Sequence, residues 1–315
     1  MMEKRPGIFN DVIGPIMRGP SSSHTAASWR AAKICVDLLK EPLKKAIIDF
    51  DKDGAWASNY REQGASLGIE GGLLGLEITD DRMKNTEVVA NELGISIHYE
   101  INSFKTNHVN TFRLSLEGIN GKNTQAVAIS IGGGSFEIQN IDGFEVNICG
   151  DFYELFLFNS SKETTLEEIQ AILPQSKSIV ESFNSDRRLI NIKFSNEVFD
   201  ETIEKLRSAV SFDELIITKP VLPIVAGNES ELPFTSVASL LEFAEKEDLD
   251  LGALGLIYEQ CQSGLENSAV IDRMKNLISI IESSIKTGLE GTTYEDRILP
   301  QQSHLINKAK KGNKI

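Results

Sequence analysis

Two hydrophobic periodicities alternate along most of this chain, and together they limit the folds it can adopt. Apolar residues recur at every second position in short segments such as 95–99 and 111–116, a spacing typical of β-strands. Residues 23–40 and 64–76 instead carry apolar side chains at helical spacing. From Ser236 onward only the helical spacing is found. The pattern predicts mixed α/β and α+β structure followed by a helical segment.

Composition and charge exclude several classes of function. The 315 residues are 41% hydrophobic, enough for two or three domains with cores of their own. The net charge of −14 repels nucleic acids and anionic lipid surfaces, so we expect neither as a partner. No apolar run reaches the length of a membrane span, and the first residues do not resemble a signal peptide. We therefore expect a cytoplasmic protein.

Cysteine usage argues against a metal site on this chain. Cys35, Cys149 and Cys261 are far apart in sequence and odd in number, which allows neither a disulfide framework nor a CxxC motif. No metal-ligand spacing emerges from the histidines, cysteines and carboxylates taken together. The sequence predicts no metal-binding residue.

Three predicted domains follow from the order of the segments. Residues 1–142 contain one α/β domain with a hairpin turn at Asn120 and Gly121. Residues 143–222 have the order βαββαβ, which is typical of ferredoxin-like and ACT modules. Its first turn, 159–162, lacks the glycines expected of an amino-acid-binding ACT domain, so a purely structural role stays an alternative. Residues 223–315 form a linker and helices whose apolar faces lack a core-sized partner.

The segment 19–25 is the strongest local candidate for a site. A Gly-Pro turn precedes hydroxyls and an imidazole at a predicted helix start, and a helix N-terminus favours a carboxylate or phosphate. The alternative is an ordinary N-cap, formed by Ser23 or Thr25, with a surface histidine. The spacing does not decide between the two. The candidate residues are Ser21, Ser22, Ser23, His24 and Thr25.

Two further segments are weaker candidates. Gly132, Gly133 and Gly134 follow a predicted strand, where missing Cβ atoms let backbone amides approach a ligand. A bulge or tight packing turn is the favoured interpretation of this triplet. His108 and Asn110 precede another strand and either bind a substrate or close a turn, and the turn is favoured.

These segments together resemble a known family. Residues 19–25, 58–76, 107–112 and 130–134 resemble, in this order, the β part of bacterial iron–sulfur-dependent L-serine dehydratase (L-serine ammonia-lyase). The resemblance extends to the start of the α part of that enzyme. The segments that carry it are 236–244, 258–259 and 263–265, with 294–299 resembling the stretch before the catalytic core.

The resemblance implies a domain of the allosteric-substrate-binding type, an ACT-like domain and the beginning of an α domain, in a family that forms dimers. It implies conversion of L-serine to pyruvate and ammonia. The family's [4Fe–4S] cluster is held by cysteines of the α part, so no cluster ligand is expected on this chain. An α chain or a missing α domain is the implied partner, the chain being one half of a split enzyme or a truncated product.

The resemblance also assigns candidate roles, with two departures. Many members carry His where this chain has Gln63, and often Pro where it has Val109. The resemblance implies that the residues of 21–25, with His108, Asn110 and Gly132 to Gly134, bind substrate. The Ser/His run either binds the amino-acid carboxylate or contributes to an active site shared with the α part. No residue is assigned as catalytic. The alternatives are a non-catalytic amino-acid-binding regulatory protein and a structural remnant.

Overall fold

The computed structural model describes residues 6–104, 106–185, 187–291 and 302–312. They divide into two compact units, one up to Asn228 and one from Glu229 onward. The segment 294–299, which contributes to the family resemblance, lies outside the described residues. The predicted mixed α/β class is confirmed, because sheets and helices both build the first unit.

Six strands form the first sheet, in the order β2-β1-β3-β4-β5-β6. Strands β1 and β2 are parallel and the other neighbours are antiparallel. Strands β5 and β6 were not predicted, because their tight connections left no separate periodic segment in the sequence. The strands are β1 (Leu43–Asp51), β2 (Ser96–Asn102), β3 (Thr111–Gly118), β4 (Asn123–Gly132), β5 (Ser135–Ile141) and β6 (Phe144–Ile148).

Helix α1 (Ala27–Leu39) is the central helix of the first unit. Its side chains Ile34, Cys35 and Leu38 are buried in the core beside the sheet, as the helical spacing requires. The helix starts later than the predicted residue 23, because a π-helical turn, Ser22–Ala26, precedes it. Two further helices belong to this part of the chain, α2 (Ala65–Leu73) and α3 (Thr86–Leu93).

Close packing against α1 explains the glycines of α2. A Cβ at Gly68 would overlap the Thr25 carbonyl oxygen and the Ser28 hydroxyl, and a Cβ at Gly72 would lie 2.5 Å from the Trp29 oxygen. Helices with small residues at such positions can approach until their backbones touch. The glycines therefore hold α2 against the first turn of α1.

The second sheet has four antiparallel strands in the order β10-β7-β9-β8. One face packs on two helices through Leu155, Ile190 and Leu206. The opposite face contributes Phe156 and Ile216 to the core that also contains the first sheet. The elements follow in chain order as β7 (Tyr153–Phe158), α4 (Leu166–Ile172), β8 (Ser178–Asn184), β9 (Arg187–Phe194), α5 (Asp200–Ala209) and β10 (Glu214–Thr218).

The second unit is helical. It contains α6 (Val237–Glu247), α7 (Leu251–Ser263), α8 (Asn267–Glu290) and α9 (Ser303–Lys311). Large apolar side chains stay accessible on α8, among them Ile278, Ile281 and Ile285. Across the described ranges, no helix combines the length and the apolarity that a membrane crossing needs.

Candidate functional site

The Ser/His run forms a closed cluster of polar side chains, which we call the hydroxyl cluster: Ser21, Ser23 and His24. The Nδ1 atom of His24 lies 3.1 Å from the Ser21 Oγ and 3.3 Å from the Ser23 Oγ. The two hydroxyl oxygens are 3.1 Å apart. The expected side-chain N-cap is wrong, because the structure shows no side-chain cap at the turn or at α1. The hydroxyls face the imidazole instead.

The imidazole of His24 is held by an aromatic stack. Its ring centroid is 5.1 Å from that of Trp56, at an interplanar angle of 28°. Trp56 is only 1% exposed and stacks in turn on Phe112. Burial lowers the pKa of His24, and the side chain of Asn59 partly opposes this change. Burial therefore favours the neutral form of the imidazole.

Ser130 links the hydroxyl cluster to the His108–Asn110 turn. The Ser130 hydroxyl donates to the Ser23 carbonyl oxygen at 2.7 Å. Its backbone N–H donates to the Asn110 oxygen at 3.1 Å, and the Asn110 side-chain amide donates to the Ser130 carbonyl at 3.3 Å. The end of β4 thus lies between two segments that are far apart in the sequence.

The predicted turn around His108 is present and is tied to the loop that carries Trp56. The His108 Nδ1 accepts from the backbone N–H of Asn110 at 3.1 Å. The Val109 carbonyl accepts from the Ala55 N–H at 2.8 Å, one residue before Trp56. Three of the segments identified in the sequence, 19–25, 107–112 and 130–134, therefore meet in one region of the structure.

The glycine triplet forms the hairpin turn between β4 and β5. Gly132, Gly133 and Gly134 all have positive φ angles, of 98°, 63° and 90°, which explains the need for glycine. A Cβ at Gly134 would lie 3.2 Å from the Ala26 Cβ and 3.3 Å from the Arg30 Nη1. The turn packs closely on the start of α1, and the substrate-binding role of its amides stays a prediction.

The remaining residues of the run differ in accessibility. Thr25 is fully buried, and its hydroxyl donates to the Gln63 carbonyl at 3.5 Å. Gly64, with a positive φ of 83°, packs directly on Thr25. Ser22 is half-buried at the first position of the π-helical turn. The backbone of Gln63 therefore contacts the Ser/His run. Many family members carry His at this position.

No pattern in the sequence identified Trp56, Asn59 or Arg30 as a site residue. Trp56 and Asn59 lie in the turns before α2, where no periodicity marks them. Arg30 falls within the apolar spacing of α1 yet is only 3% exposed, and its Nη1 donates to the Gly134 carbonyl at 2.5 Å. Arg30 could have been identified from the sequence, because an arginine on the apolar side of a helix is unusual.

Replacing Arg30 by methionine is expected to destabilise the protein by about 1–2 kcal/mol, because the buried Gly134 carbonyl loses its charged donor. Burial lowers the pKa of Arg30 to about 10, with Asp11 opposing, so the guanidinium is still charged at pH 7. Urea unfolding of Arg30→Met against Arg273→Met, at an exposed position of α8, measures the difference. Equal stability of both variants would contradict this role for Arg30.

The described residues do not fit an iron–sulfur cluster. No group of three or more His, Cys, Asp or Glu within them could hold a metal ion. Burial raises the pKa of the Cys35 thiol strongly, which opposes the thiolate that a cluster requires.

A separate cavity of about 240 Å³ lies between β6 and β8. Asn147, Asn191 and Lys193 line it, and none of its lining residues belongs to the hydroxyl cluster. The convergence of side chains around His24, and not this cavity, is the candidate site, because several segments from distant parts of the chain meet there.

Comparison with known proteins agrees with the resemblance stated from the motifs. No family model matches the chain. It is 29% identical over 203 residues to the L-serine dehydratase, beta chain, of Peptoniphilus asaccharolyticus, covering 64% of this chain and 90% of the relative. It is 29% identical over 202 residues to the probable L-serine dehydratase, beta chain, of Bacillus subtilis (strain 168), covering 62% and 90%. The predicted resemblance to the β part of this family is confirmed.

Proposed function

We propose that this chain, a β-type relative of L-serine dehydratase, is the substrate-binding portion of an enzyme that converts L-serine to pyruvate and ammonia. One observation carries the proposal: the chain covers 90% of the length of two relatives that bear that name. A beta chain implies an alpha chain, and we propose that catalysis needs this partner.

The geometry of the hydroxyl cluster supports binding of an amino acid. Ser21 and Ser23 offer hydroxyl hydrogen-bond donors at the start of a helical segment, whose dipole favours a carboxylate. Ser130, near the end of β4, braces this segment through Ser23 and is itself bonded to Asn110, so the hydroxyls are positioned before a ligand arrives. The cluster would hold the carboxylate while the partner acts on the leaving hydroxyl.

The cofactor is assigned to the partner. The family resemblance implies a [4Fe–4S] cluster, which supplies Lewis-acid chemistry when bound. Because the cysteines of this chain do not fit it, we propose that an α chain holds it. What this chain contributes is binding and orientation of the substrate.

Three further assignments belong to this proposal. The order βαββαβ and the strand order β10-β7-β9-β8 support an ACT-like domain within residues 143–222. The resemblance to the family supports a homodimer and a cytoplasmic location. All three are proposals for this chain.

The test is reconstitution with an L-serine dehydratase α chain under anaerobic conditions with iron and sulfide. We expect serine-dependent pyruvate from the mixture and none from this chain alone. His24→Asn should lower kcat/KM by about 10–100-fold, the worth of one or two buried hydrogen bonds. The matched control His98→Asn changes an exposed histidine of β2 and should leave activity unchanged. Pyruvate formed by the isolated chain would refute the assignment.

A regulatory amino-acid-binding protein is the second candidate, favoured by one observation. Gln63, in place of the His of many family members, adjoins Thr25 within the candidate site. If L-serine binds the isolated chain in calorimetry and no α chain restores turnover, the regulatory function replaces the enzymatic one.

A further inference from the structure

The cavity between β6 and β8 lies where the edge strands of the two sheets meet. Strand β6 ends the strand order of the first sheet, and β8 ends that of the second. Three cross-strand pairs of β8 and β9 line one side of it: Ser178 with Lys193, Val180 with Asn191 and Ser182 with Leu189. Serine at two of the three β8 positions leaves space that larger side chains would fill. The cavity, of about 240 Å³, therefore has room for a small molecule.

Two hydrogen bonds show how β6 runs along β8. The Asn184 side-chain amide donates to the Asp142 carbonyl at 2.9 Å, and the Lys193 Nζ donates to the Asn147 carbonyl at 2.7 Å. Because Asn184 and Lys193 lie at opposite ends of the β8–β9 pair, β6 runs in the opposite direction to β8. Glu145 also lines the cavity and precedes Asn147 by two residues, which is about 7 Å along a strand. A cation and an anion are therefore separated along the cavity by about that distance.

Lys193 provides the cationic end of the cavity. Its side chain is 14% exposed, and its Nζ lies 3.7 Å from the Glu154 Oε1. Burial raises the pKa of that carboxyl to about 7, so at pH 7 about half of the Glu154 carboxyls are protonated. The carboxyl then balances only part of the ammonium charge. A half-buried cation without a full counter-charge favours an anion beside it.

The other end of the cavity carries Glu145 and Ser182. The Ser182 hydroxyl is buried, and no described residue meets it at hydrogen-bond distance. Glu181 lines the cavity too, but Arg188 already neutralises it, with Nη2 and Nε at 2.7 and 2.9 Å from its Oε2. A buried hydroxyl gains from a polar group brought by a ligand. Glu145 and Ser182 are therefore the groups on which the ammonium of a ligand can lie.

We propose that the cavity between β6 and β8 binds a linear ω-amino acid. Its carboxylate would pair with the Lys193 ammonium, and its terminal ammonium with Glu145. Its methylene chain would lie against Val180 and Leu189, which line the middle of the cavity. An α-amino acid carries its two charges on neighbouring atoms and cannot span the two ends. Val180 is 53% exposed, so a ligand can enter from solvent.

The test is a titration of the intact chain with ε-aminocaproate, followed by calorimetry and by NMR of the methyl groups of Val180 and Leu189. We expect saturable binding with shifts of both methyl signals. Three matched probes separate the contributions: caproate lacks the ammonium, hexylamine lacks the carboxylate, and L-norleucine is the isomer with adjacent charges. Each should bind about 10–100-fold more weakly, the worth of one hydrogen-bonded charge pair.

Two variants locate the site. Lys193→Met removes the cation and Glu145→Gln, at an exposed position, removes the anion, and each should weaken binding of ε-aminocaproate about 10–100-fold. Lys205→Met, at an exposed position of α5, is the control and should bind as the wild type does. If Lys193→Met fails to fold, Glu145→Gln decides the question, because its side chain is not part of a core.

Three results would overturn the proposal. They are no methyl shift with ε-aminocaproate at tens of millimolar, equal affinity for L-norleucine, and unchanged affinity in Glu145→Gln. The measurement needs neither turnover nor an α chain, and none of the residues involved belongs to the hydroxyl cluster. Failure of this inference therefore leaves the proposed function standing, and failure of reconstitution leaves this inference standing.

Discussion

Gly68→Ala is expected to lower the free energy of unfolding by about 1–3 kcal/mol, the range for overpacking in a well-packed core. The added Cβ would overlap the Thr25 carbonyl oxygen and the Ser28 hydroxyl. The carbonyl belongs to the backbone of the turn that precedes α1, so α2 must shift away from it. Urea unfolding at pH 7 measures the loss.

Gly255→Ala is the matched control. Gly255 also lies inside a helix, α7, and a Cβ there would meet nothing within 4 Å. Alanine in an open helical position stabilises by about 0.5–1 kcal/mol. The two substitutions are therefore expected to have opposite signs. A stability gain from Gly68→Ala would show that the close approach of α2 to α1 is wrong.

The same substitution should also disturb the hydroxyl cluster. Thr25 follows His24 directly, and the carbonyl that the added Cβ would press against is part of the turn that contains His24. In NMR spectra we expect the His24 signals to change in Gly68→Ala and to stay unchanged in Gly255→Ala. Unchanged signals alongside lost stability would mean that the helix contact and the cluster are independent.

Stability is expected to fall by about 2–3 kcal/mol between pH 5 and pH 8 through a single carboxylate, Glu154. This residue is fully buried in β7, where Asn191 donates to it at 2.9 Å and the Lys193 Nζ lies 3.7 Å away. Burial raises its pKa from 4.5 to about 7, with Lys193 opposing.

The sign follows from proton binding. Between pH 4.5 and 7 the folded protein keeps a proton on Glu154 that the unfolded chain has lost. The contribution to stability is therefore largest below the unfolded pKa and is lost as the pH rises through the folded pKa, after which it is constant.

Glu154→Gln isolates this contribution, because glutamine keeps the shape and does not titrate. The difference in unfolding free energy between wild type and variant should change by about 2–3 kcal/mol from pH 5 to pH 8. Glu87→Gln, at an exposed position of α3, should show a constant difference. A difference for Glu154→Gln that does not vary with pH would contradict a buried carboxyl with a raised pKa.

The sequence allowed most of the elements to be predicted, but not all of the site. Strand β3 and the elements of the second sheet follow from local periodicity, because a side chain's direction repeats within a few residues. Strands β5 and β6 escaped because two short turns, one at Gly133 and Gly134 before β5 and one at Asp142 and Gly143 before β6, do not mark them off as separate segments. Trp56 and Asn59 escaped because an irregular turn has no period.

What the sequence determined by itself is the mixed α/β class, the helical end and the candidate residues of the run 21–25, since each depends on neighbours in the chain. Only the tertiary structure decided that Ser23 and Ser130, 107 positions apart, are hydrogen-bonded. It also decided that the serine hydroxyls face His24 and that glycines let α2 touch α1. Contacts of this kind depend on strand register and on the packing of distant segments, which no local pattern encodes.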